Sequence, residues 1–397
     1  MNLEKITQFL QKHRKRILRI LSYVLVAVLT ASVTVVILVG ADSGQSISKL
    51  DALEKLIQEC FIGDVDQTLI EDAAADAMVS ALGDRWSYYI PADEYAAYQE
   101  QKQNAYVGVG ITITAREDGT GLDIINVADG GSAQEVGVQA GDVLVAVGEQ
   151  RIAGMEINDI SSLIRGEEGT TVDITVLRGE EELTFTVTRK QIKTAVATGT
   201  LLDGNIGYVR IVNFNSNCSE ETIAVIEELR EQGAEKLVFD VRNNPGGYAK
   251  ELVKLLDYLL PEGPLFRTED YSGKEEVESS GESCIEMPMA VLVNGSSYSA
   301  AEFFAAALRE YEWATVVGEQ TCGKGYFQST YLLPDGSAVG LSIGKYYTPN
   351  GVSLAGVGIT PDVVVPVDQE TANGIYYGTL ELSEDPQVQA AITALSE

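Results

Sequence analysis

The stretch that decides the fold is Met289–Tyr311, which reads MAVLVNGSSYSAAEFFAAALREY. Residues 289–293 form an apolar run of strand length, and residues 300–311 carry apolar side chains at helical spacing. A polar turn separates them, so Ser299 stands where a strand leads into the N-terminus of a helix. A serine in that position has N–H donors behind it, as a nucleophile needs, but serine is also a favoured structural N-cap. Both interpretations stay open on this stretch alone.

A second segment favours the nucleophile. Residues 318–328 read GEQTCGKGYFQ, with Lys324 between two glycines. Glycines allow close backbone packing, and a lysine removed from water loses its preference for the charged form and can act as a base. The single histidine, His13, lies near the N-terminus, which excludes a catalytic or zinc-binding histidine from the rest of the chain. We therefore predict a catalytic centre built from Ser299 and Lys324.

The charge of the chain limits its partners. The 397 residues include 59 acidic and 28 basic side chains, for a net charge of −31, whereas residues 1–19 are basic with a local balance of +5. Such an acidic body argues against nucleic acid as a partner. The interpretation we favour is that the charge keeps an exported domain in solution.

An uncharged apolar segment follows the basic residues. Residues 20–40 read ILSYVLVAVLTASVTVVILVG, long enough for a transmembrane helix, which needs roughly 20 residues. The positive flank predicts a cytoplasmic N-terminus and an exported remainder, held by a single membrane-spanning anchor. A cleaved signal peptide is the alternative, although its apolar region usually has only about 7–15 residues.

The four cysteines show neither a CxxC pair nor a metal-binding pattern, and we predict no metal and no cofactor. An exported compartment permits disulfides, but the spacing does not define a pairing. Cys322 lies two residues before Lys324. It is either a reactive thiol or a packing residue, and the lack of an activating histidine favours packing.

The order of patterns predicts a multidomain α/β protein. After the basic segment (1–19) and the apolar span (20–40), residues 42–105 carry helical stripes and form an N-terminal helical subdomain. Residues 106–190 form a small β-rich domain. Residues 191–367 alternate strands and helices, which indicates a layered sheet, and residues 368–397 form a helical tail.

The β-rich domain resembles a PDZ domain, through AGDVLVAVGEQRI at residues 140–152 and IRGEEGTTVDITV at residues 164–176. A dinucleotide-binding loop at Gly108 and Gly110 is the rival interpretation, but no third glycine or helix follows at the right place. A PDZ domain adds a peptide to a sheet edge and captures its terminal carboxylate with loop N–H groups. The resemblance assigns substrate binding to Val107, Gly108, Val109, Gly110 and Ile111.

With these pieces in order, the chain resembles the C-terminal processing peptidases, the tail-specific serine–lysine proteases of bacteria and chloroplasts. Four motifs carry the resemblance: Phe239–Gly247, Asn294–Glu302, Gly318–Gln328 and Gly356–Asp362. They occur in the family's order around an inserted PDZ domain. The resemblance implies a peptidase core of the crotonase-like and ClpP-like αβ-spiral type, and substrates that are proteins with unstructured C-terminal tails.

The motifs also imply residue roles. Ser299 corresponds to the family's nucleophile, Lys324 to its general base and Gln328 to the residue that positions the lysine. The oxyanion hole corresponds to the N–H groups of Ala300 and of Gly246 or Gly247. Arg165 resembles a residue that couples peptide binding to activation.

The serine loop and the lysine loop depart from the family's usual residues at three positions, Tyr298, Ala301 and Cys322, which leaves the catalytic set intact but could alter the pocket beside it. Family members often pair through their terminal helical parts, so a homodimer is among the states that the resemblance allows.

Two other classes of function stay open. One is an inactive PDZ scaffold at the membrane, and the other is an acyl-CoA enzyme of the crotonase fold.

Overall fold

The computed structural model describes residues 48–116, 119–128 and 130–396. The chain divides into two compact units, residues 1–73 and 74–397. The predicted basic segment and apolar span, residues 1–40, lie outside the described residues. Within the described ranges, no helix is long and apolar enough to cross a membrane.

The described part of the first unit is helical. Helix α1 (Lys49–Cys60) is followed by the start of α2 (Gln67–Ser80). Ser48 begins α1 with a reciprocal cap, in which its Oγ accepts the Asp51 N–H at 3.1 Å and the Asp51 carboxylate accepts the Ser48 N–H at 3.2 Å. This arrangement satisfies N–H groups that the first turn of a helix leaves free.

The second unit begins with the end of α2, strand β1 (Tyr88–Ile90) and helix α3 (Tyr95–Lys102), and then enters the PDZ region. The strands of this region are β2 (Ala105–Gly108), β3 (Ile111–Ala115), β4 (Leu122–Val127), β5 (Val143–Val147), β6 (Gln150–Arg151), β7 (Thr171–Arg178), β8 (Glu181–Thr188) and β9 (Lys190–Lys193). Its helices are α4 (Ser132–Val136) and α5 (Ile157–Ile164).

The PDZ region has a hydrophobic core of its own. Strands β3-β4-β5-β7-β8 form one sheet in that order, with β6 on β5, and β2 pairs separately with β9. Alternating apolar residues of β4, β5 and β7 point into the core together with one face of α5; they include Ile124, Leu144, Ile160 and Ile174, all at most 1% exposed. Period-2 alternation in the strands against helical spacing in α5 produces this one-sided burial.

The remaining residues form two further sheets. The parallel sheet contains β10 (Ala197–Leu202), β11 (Ile206–Ile211), β12 (Lys236–Asp240), β15 (Met289–Val293), β16 (Ala314–Gly318) and β19 (Val363–Val364), in this order. Only β10 runs antiparallel to its neighbour. The antiparallel sheet contains β13 (Gly263–Asp270), β14 (Glu275–Ser280), β17 (Tyr326–Leu332) and β18 (Ala338–Tyr347), ordered β1-β18-β13-β14 with β17 also on β18.

Helices cover both faces of the parallel sheet. One face packs against α6 (Cys218–Glu231), α7 (Ala249–Leu259) and α8 (Ala300–Glu310), and the other against α10 (Pro386–Ala394), which follows α9 (Gln369–Tyr377). Strand β15 shows why its sequence is apolar throughout. Met289, Val291 and Val293 pack on the first face, whereas Ala290 and Leu292 pack on the second. A parallel strand buried on both faces needs such a continuous run.

The sheet topology fixes where the candidate site lies. Strands β12, β15 and β16 are parallel neighbours, so the segments that follow them leave the same edge of the sheet. These segments are the glycine turn (residues 243–247), the serine loop (294–299) and the lysine loop (319–325). The carboxyl edge of a parallel sheet is where α/β proteins bind ligands.

A buried ion cluster anchors the C-terminal helix beside this edge. Arg242 Nη2 lies 2.6 Å from Asp240 Oδ2, and Arg242 Nη1 lies 2.8 Å from Asp385 Oδ2. All three side chains are at most 3% exposed. Asp385 is also the N-cap of α10. The cluster therefore joins β12, the start of the glycine turn and the C-terminal helix.

Replacing Arg242 with methionine removes the shared partner of two buried carboxylates. We expect a loss of about 3–5 kcal/mol in the free energy of unfolding, because breaking a buried pair leaves an uncompensated charge. The matched control is Arg151→Met, which breaks an exposed ion pair with Glu182 at 2.8 Å and should cost less than about 1 kcal/mol. Urea unfolding of both variants measures the difference. Equal small losses would contradict a role for the cluster in stability.

Candidate active site

Hydrogen bonds join the serine loop to the glycine turn. Asn294 Oδ1 accepts the Asn243 N–H at 3.0 Å, and Asn294 Nδ2 donates to Asn243 Oδ1 at 2.9 Å. Ser297 Oγ donates to the Val241 carbonyl at 2.7 Å, and the Tyr298 N–H donates to the Asn244 carbonyl at 3.1 Å. The two loops therefore keep a fixed position relative to each other.

Ser299 holds a strained backbone conformation at the end of the serine loop. Its φ is 59° and its ψ is −127°, a combination that L-residues rarely adopt. Such a conformation costs on the order of 1–3 kcal/mol and persists only where the surroundings impose it. Here the Ser299 N–H donates to Glu302 Oε2 at 3.0 Å, and helix α8 begins at the next residue. The side chain is 8% exposed.

The carboxylate of Glu302 connects the serine loop with the lysine loop. Besides Ser299, its Oε2 accepts the Lys324 N–H at 2.8 Å. Its Oε1 accepts the Gly323 N–H at 2.7 Å and the Thr321 hydroxyl at 2.6 Å. Glu302 is fully buried, so four donors replace the water that the carboxylate loses. This single side chain fixes the backbone of both candidate catalytic residues.

The lysine loop packs closely against residues 355–358. A Cβ at Gly323, whose φ is +81°, would lie 2.9 Å from the backbone nitrogen of Val357. A Cβ at Gly325 would lie 2.6 Å from the backbone nitrogen of Ala355. Both glycines beside Lys324 thus make the close backbone approach that the sequence predicts.

The Lys324 amine lies near two aromatic rings. Its Nζ is 4.7 Å from the ring centroid of Trp86 and 5.8 Å from that of Tyr298. Burial lowers the pKa of the Lys324 amine to about 8, and the positive charge of Lys102 is the next largest cause. Acidic groups act in the opposite direction: Asp84, Cys322 and Glu302. A substantial fraction of the amine is therefore neutral near pH 8.

Ser299 and Lys324 share a cleft of about 370 Å³. Among the described residues, no hydrogen bond joins Ser299 Oγ to Lys324 Nζ. Catalytic hydrogen bonds of free enzymes often tighten only when substrate binds. Gln328 lines the same cleft but donates to Ser342 Oγ at 2.9 Å and to the Tyr326 carbonyl at 3.3 Å. In this state Gln328 is hydrogen-bonded to the antiparallel sheet.

The glycine turn supplies backbone donors beside Ser299. The Gly246 N–H donates to Asn244 Oδ1 at 2.8 Å, which closes the turn. Gly247 and Ala300, in contrast, line with Ser299 a small apolar pocket, whose other walls include Leu252 and Phe303. Of the three predicted oxyanion-hole residues, Gly247 and Ala300 therefore face the pocket, and Gly246 supports the turn.

The segment before β1 forms a wall that the sequence did not assign to the site. The Arg85 guanidinium lies 4.1 Å from the Trp86 ring centroid and donates to Cys322 Sγ at 2.9 Å. Trp86 and Tyr298 approach with ring centroids 5.8 Å apart. A larger cavity of about 1150 Å³ opens on the Arg85 and Cys322 side, but Ser299 does not line it. We place the chemistry in the smaller cleft because both candidate catalytic side chains line it.

The predicted peptide-binding residues form a groove of the PDZ region. Gly108, Val109, Gly110, Ile111 and Arg165 line a cavity of about 100 Å³ together with residues of α5. The Arg165 guanidinium lies 5.3 Å from the ring centroid of Tyr106. Val107 precedes this groove, and its N–H donates to Glu100 Oε1 on α3 at 3.3 Å.

Comparison with known proteins identifies the family. The family model described as "Peptidase family S41" matches residues 205–365, and the model described as "PDZ domain" matches residues 124–178. The carboxyl-terminal-processing protease of a Synechocystis species is 30% identical over 81% of this chain and 76% of its own length. A probable CtpA-like serine protease of Staphylococcus haemolyticus is 30% identical over 87% of this chain and 71% of its own. The chain belongs to the C-terminal processing peptidases.

Two solved structures are similar to this chain. A photosystem II D1 C-terminal processing protease is 30% identical, with a TM-score of 0.46 over 81% of this chain and 89% of its own. A protein described as an S41 protease of Bacteroides fragilis is 15% identical, with a TM-score of 0.50 over 85% of this chain and 92% of its own. The predictions of a serine peptidase, of a mixed α/β fold and of a PDZ domain are confirmed. The individual site residues stay predictions.

Gly246 offers a test of the glycine turn in this C-terminal processing peptidase. Its φ is +82°, and a Cβ there would lie 2.8 Å from both Ser299 Cβ and the Ala300 nitrogen. Gly246→Ala should lower kcat/KM by at least about 100-fold, because a displacement near 1 Å at the reacting groups is enough for that loss. The measurement is the initial rate of cleavage of an unstructured protein.

Gly273→Ala is the matched control, because Gly273 has the same φ of +82° in open space. It carries the same backbone strain without the contact at Ser299, and it should retain activity. Equal losses in the two variants would show that strain alone, and not the contact with Ser299, causes the effect.

Proposed function

We propose that this C-terminal processing peptidase cleaves proteins with unstructured C-terminal tails through an acyl-enzyme formed on Ser299, with Lys324 as general base. The observation that carries the proposal is the position of the Lys324 amine. It lies beside two aromatic rings in the cleft that Ser299 lines, with its pKa lowered to about 8. An exposed lysine, with a pKa of about 10.4, would be protonated at neutral pH.

In the proposed first step, neutral Lys324 takes the proton of the Ser299 hydroxyl while Oγ attacks the scissile carbonyl carbon. The negative charge that develops on the carbonyl oxygen is stabilised by the N–H groups of Gly247 and Ala300. The latter lies at the positive end of the α8 dipole. Gly246 keeps the turn in the conformation that presents these donors.

The remaining steps return the enzyme to its starting state. The Lys324 ammonium donates its proton to the leaving nitrogen as the C–N bond breaks, which leaves an ester on Ser299. A water molecule then attacks the ester while Lys324 accepts its proton, and the ammonium returns that proton to Ser299 Oγ as the ester bond breaks. Gln328 contributes by positioning the lysine once it exchanges its bond to Ser342 for one to the amine.

We assign tail recognition to the PDZ groove. The substrate's C-terminal segment adds to the edge of the PDZ sheet, and the N–H groups of residues 108–111 donate hydrogen bonds to its carboxylate. Arg165, which lines the same groove, transmits peptide binding to the peptidase core. The small apolar pocket beside Ser299 favours a small apolar side chain before the scissile bond.

We also propose a cellular location and an oligomeric state for the enzyme. It is anchored in a bacterial cell membrane by residues 20–40, with the catalytic part outside the cytoplasm and with pairing into homodimers through terminal helices. Its supports are the uncharged span and its basic flank. The proposal keeps the predicted domain boundaries, and it assigns the core to the crotonase-like and ClpP-like αβ-spiral type.

The test uses the full-length chain in mild detergent, with an unstructured protein that ends in a free apolar C-terminus. The parent should cleave it, whereas Ser299→Ala and Lys324→Ala should each lose at least about 1000-fold in kcat. Amidating the substrate's C-terminus should raise KM, because the PDZ groove loses its carboxylate. Mass spectrometry of the products measures each effect.

Activity that survives in Lys324→Ala would contradict the assignment of the base. Tail binding by the parent without any cleavage would favour the inactive scaffold instead.

A further inference from the structure

A second lysine lines the catalytic cleft. Lys102, the last residue of α3, borders the same cavity of about 370 Å³ as Ser299 and Lys324. Its Nζ lies 5.6 Å from the ring centroid of Tyr98, and among the described residues it has no carboxylate partner. The cleft therefore holds two amine side chains, both stacked on aromatic rings.

The backbone around Lys102 is fixed to the peptidase core. The Lys102 carbonyl accepts the Ser216 N–H at 3.1 Å, and the Gln101 carbonyl accepts Asn215 Nδ2 at 3.1 Å. Asn104 then ends the helical stretch with a φ of 49° and donates from Nδ2 to the Ser216 carbonyl at 2.8 Å. The position of Lys102 at the cleft is therefore imposed by the fold.

We propose that Lys102 is a positioning residue for peptide cleavage, whose positive charge disfavours protonation of Lys324 and so maintains it as a base. The inference rests on the proposed function, because it assigns Lys324 the role of base. Two ammonium groups in one cleft repel each other, so the positive charge of Lys102 makes the neutral form of Lys324 more favourable. A neighbouring cation is an established way to activate a lysine.

The other charged and titratable groups around the pair do not cancel this effect. Glu302 and Asp84 face Lys324 and raise its pKa, but the Glu302 oxygens are occupied by four donors and the Asp84 carboxylate accepts Ser87 Oγ at 2.6 Å. The net pKa of Lys324 is still lowered to about 8. The remaining charged and titratable groups of the cleft and its walls are Arg85, Cys322, Tyr88, Tyr95, Tyr98, Tyr248, Tyr298 and Tyr346.

A structural interpretation of Lys102 has to be separated from this one. A lysine in the last turn of a helix interacts favourably with the helix dipole, and its stacking on Tyr98 adds a cation–π contact. Loss of those contacts would lower stability or activity at every pH. An electrostatic effect on Lys324 would instead change activity only where Lys324 titrates.

The experiment is the pH dependence of kcat/KM for the full-length enzyme with the same unstructured substrate. In the parent, activity should rise with pH through about 8, because deprotonation of Lys324 creates the base. In Lys102→Gln the acidic limb should move to higher pH by about half a unit, because one repelling charge is lost. At pH 7 kcat/KM should fall about threefold, and above pH 9.5 it should approach the parent's value.

Two controls define the result. Lys102→Arg retains the charge, so the acidic limb of its kcat/KM profile should stay at the same pH as in the parent. Lys250→Gln removes another lysine that is stacked on a tyrosine of the cleft, Tyr248 at 5.1 Å, and should leave the limb unmoved. Thermal unfolding of each variant reports any structural loss.

An unmoved limb in Lys102→Gln, or an equal loss at every pH, would overturn the proposal for Lys102. Either result is distinct from failure of the proposed function. That failure would appear as activity in Lys324→Ala or as a parent profile without a limb near pH 8.

Discussion

The structure of this peptidase depends on one buried carboxylate. Glu302 accepts backbone N–H bonds from Ser299 and Lys324 and so joins two loops that leave neighbouring parallel strands. Other hydrogen bonds also hold these loops, but Glu302 is the side chain that bonds directly to the backbone of both candidate catalytic residues. Four donors make the burial of this charge tolerable, and both loops must be in place before all four bonds can form.

Strain and close packing are concentrated at the same edge of the sheet. Ser299 has a φ of 59°, Gly246 approaches its Cβ, and the lysine loop has no room for a Cβ at Gly323 or Gly325. The buried pairing of Arg242 with Asp240 and Asp385 lies just before the glycine turn and links it to the C-terminal helix. The stability of the sheet and of this ion cluster offsets the unfavourable conformations that the site needs.

Local sequence patterns predicted the elements whose signal lies in adjacent residues. The strand, turn and helix around Ser299 have their expected bounds within one residue, since β15 covers Met289–Val293 and α8 covers Ala300–Glu310. The glycines beside Lys324 indicated close packing correctly. Ser299 was recognisable as a candidate helix N-cap, and the Glu302 carboxylate accepts its N–H. A sequence does not show that the same carboxylate also reaches a loop 22 residues further on.

Other parts of the site depend on tertiary contacts between distant residues. Trp86 and Lys102 approach Lys324 from segments more than 200 residues away, and neither lies in a pattern typical of a catalytic residue. The bond from the Gly246 N–H to Asn244 Oδ1 follows from the turn's geometry, which the Asn-Pro-Gly-Gly sequence allows but does not specify. Gln328 was placed by family resemblance, and its present partner, Ser342, lies on the next strand of the sheet.

The central claim is that the fold lowers the pKa of Lys324 to about 8, so that far more of this amine is neutral near neutral pH than in an exposed lysine. The most direct measurement is an NMR titration of the Ser299→Ala protein with 13C-labelled lysine, in which a Lys324→Arg variant assigns the resonance. We predict a midpoint of about 8 for Lys324. A midpoint of about 10.4, the value of a free surface amine, would contradict it.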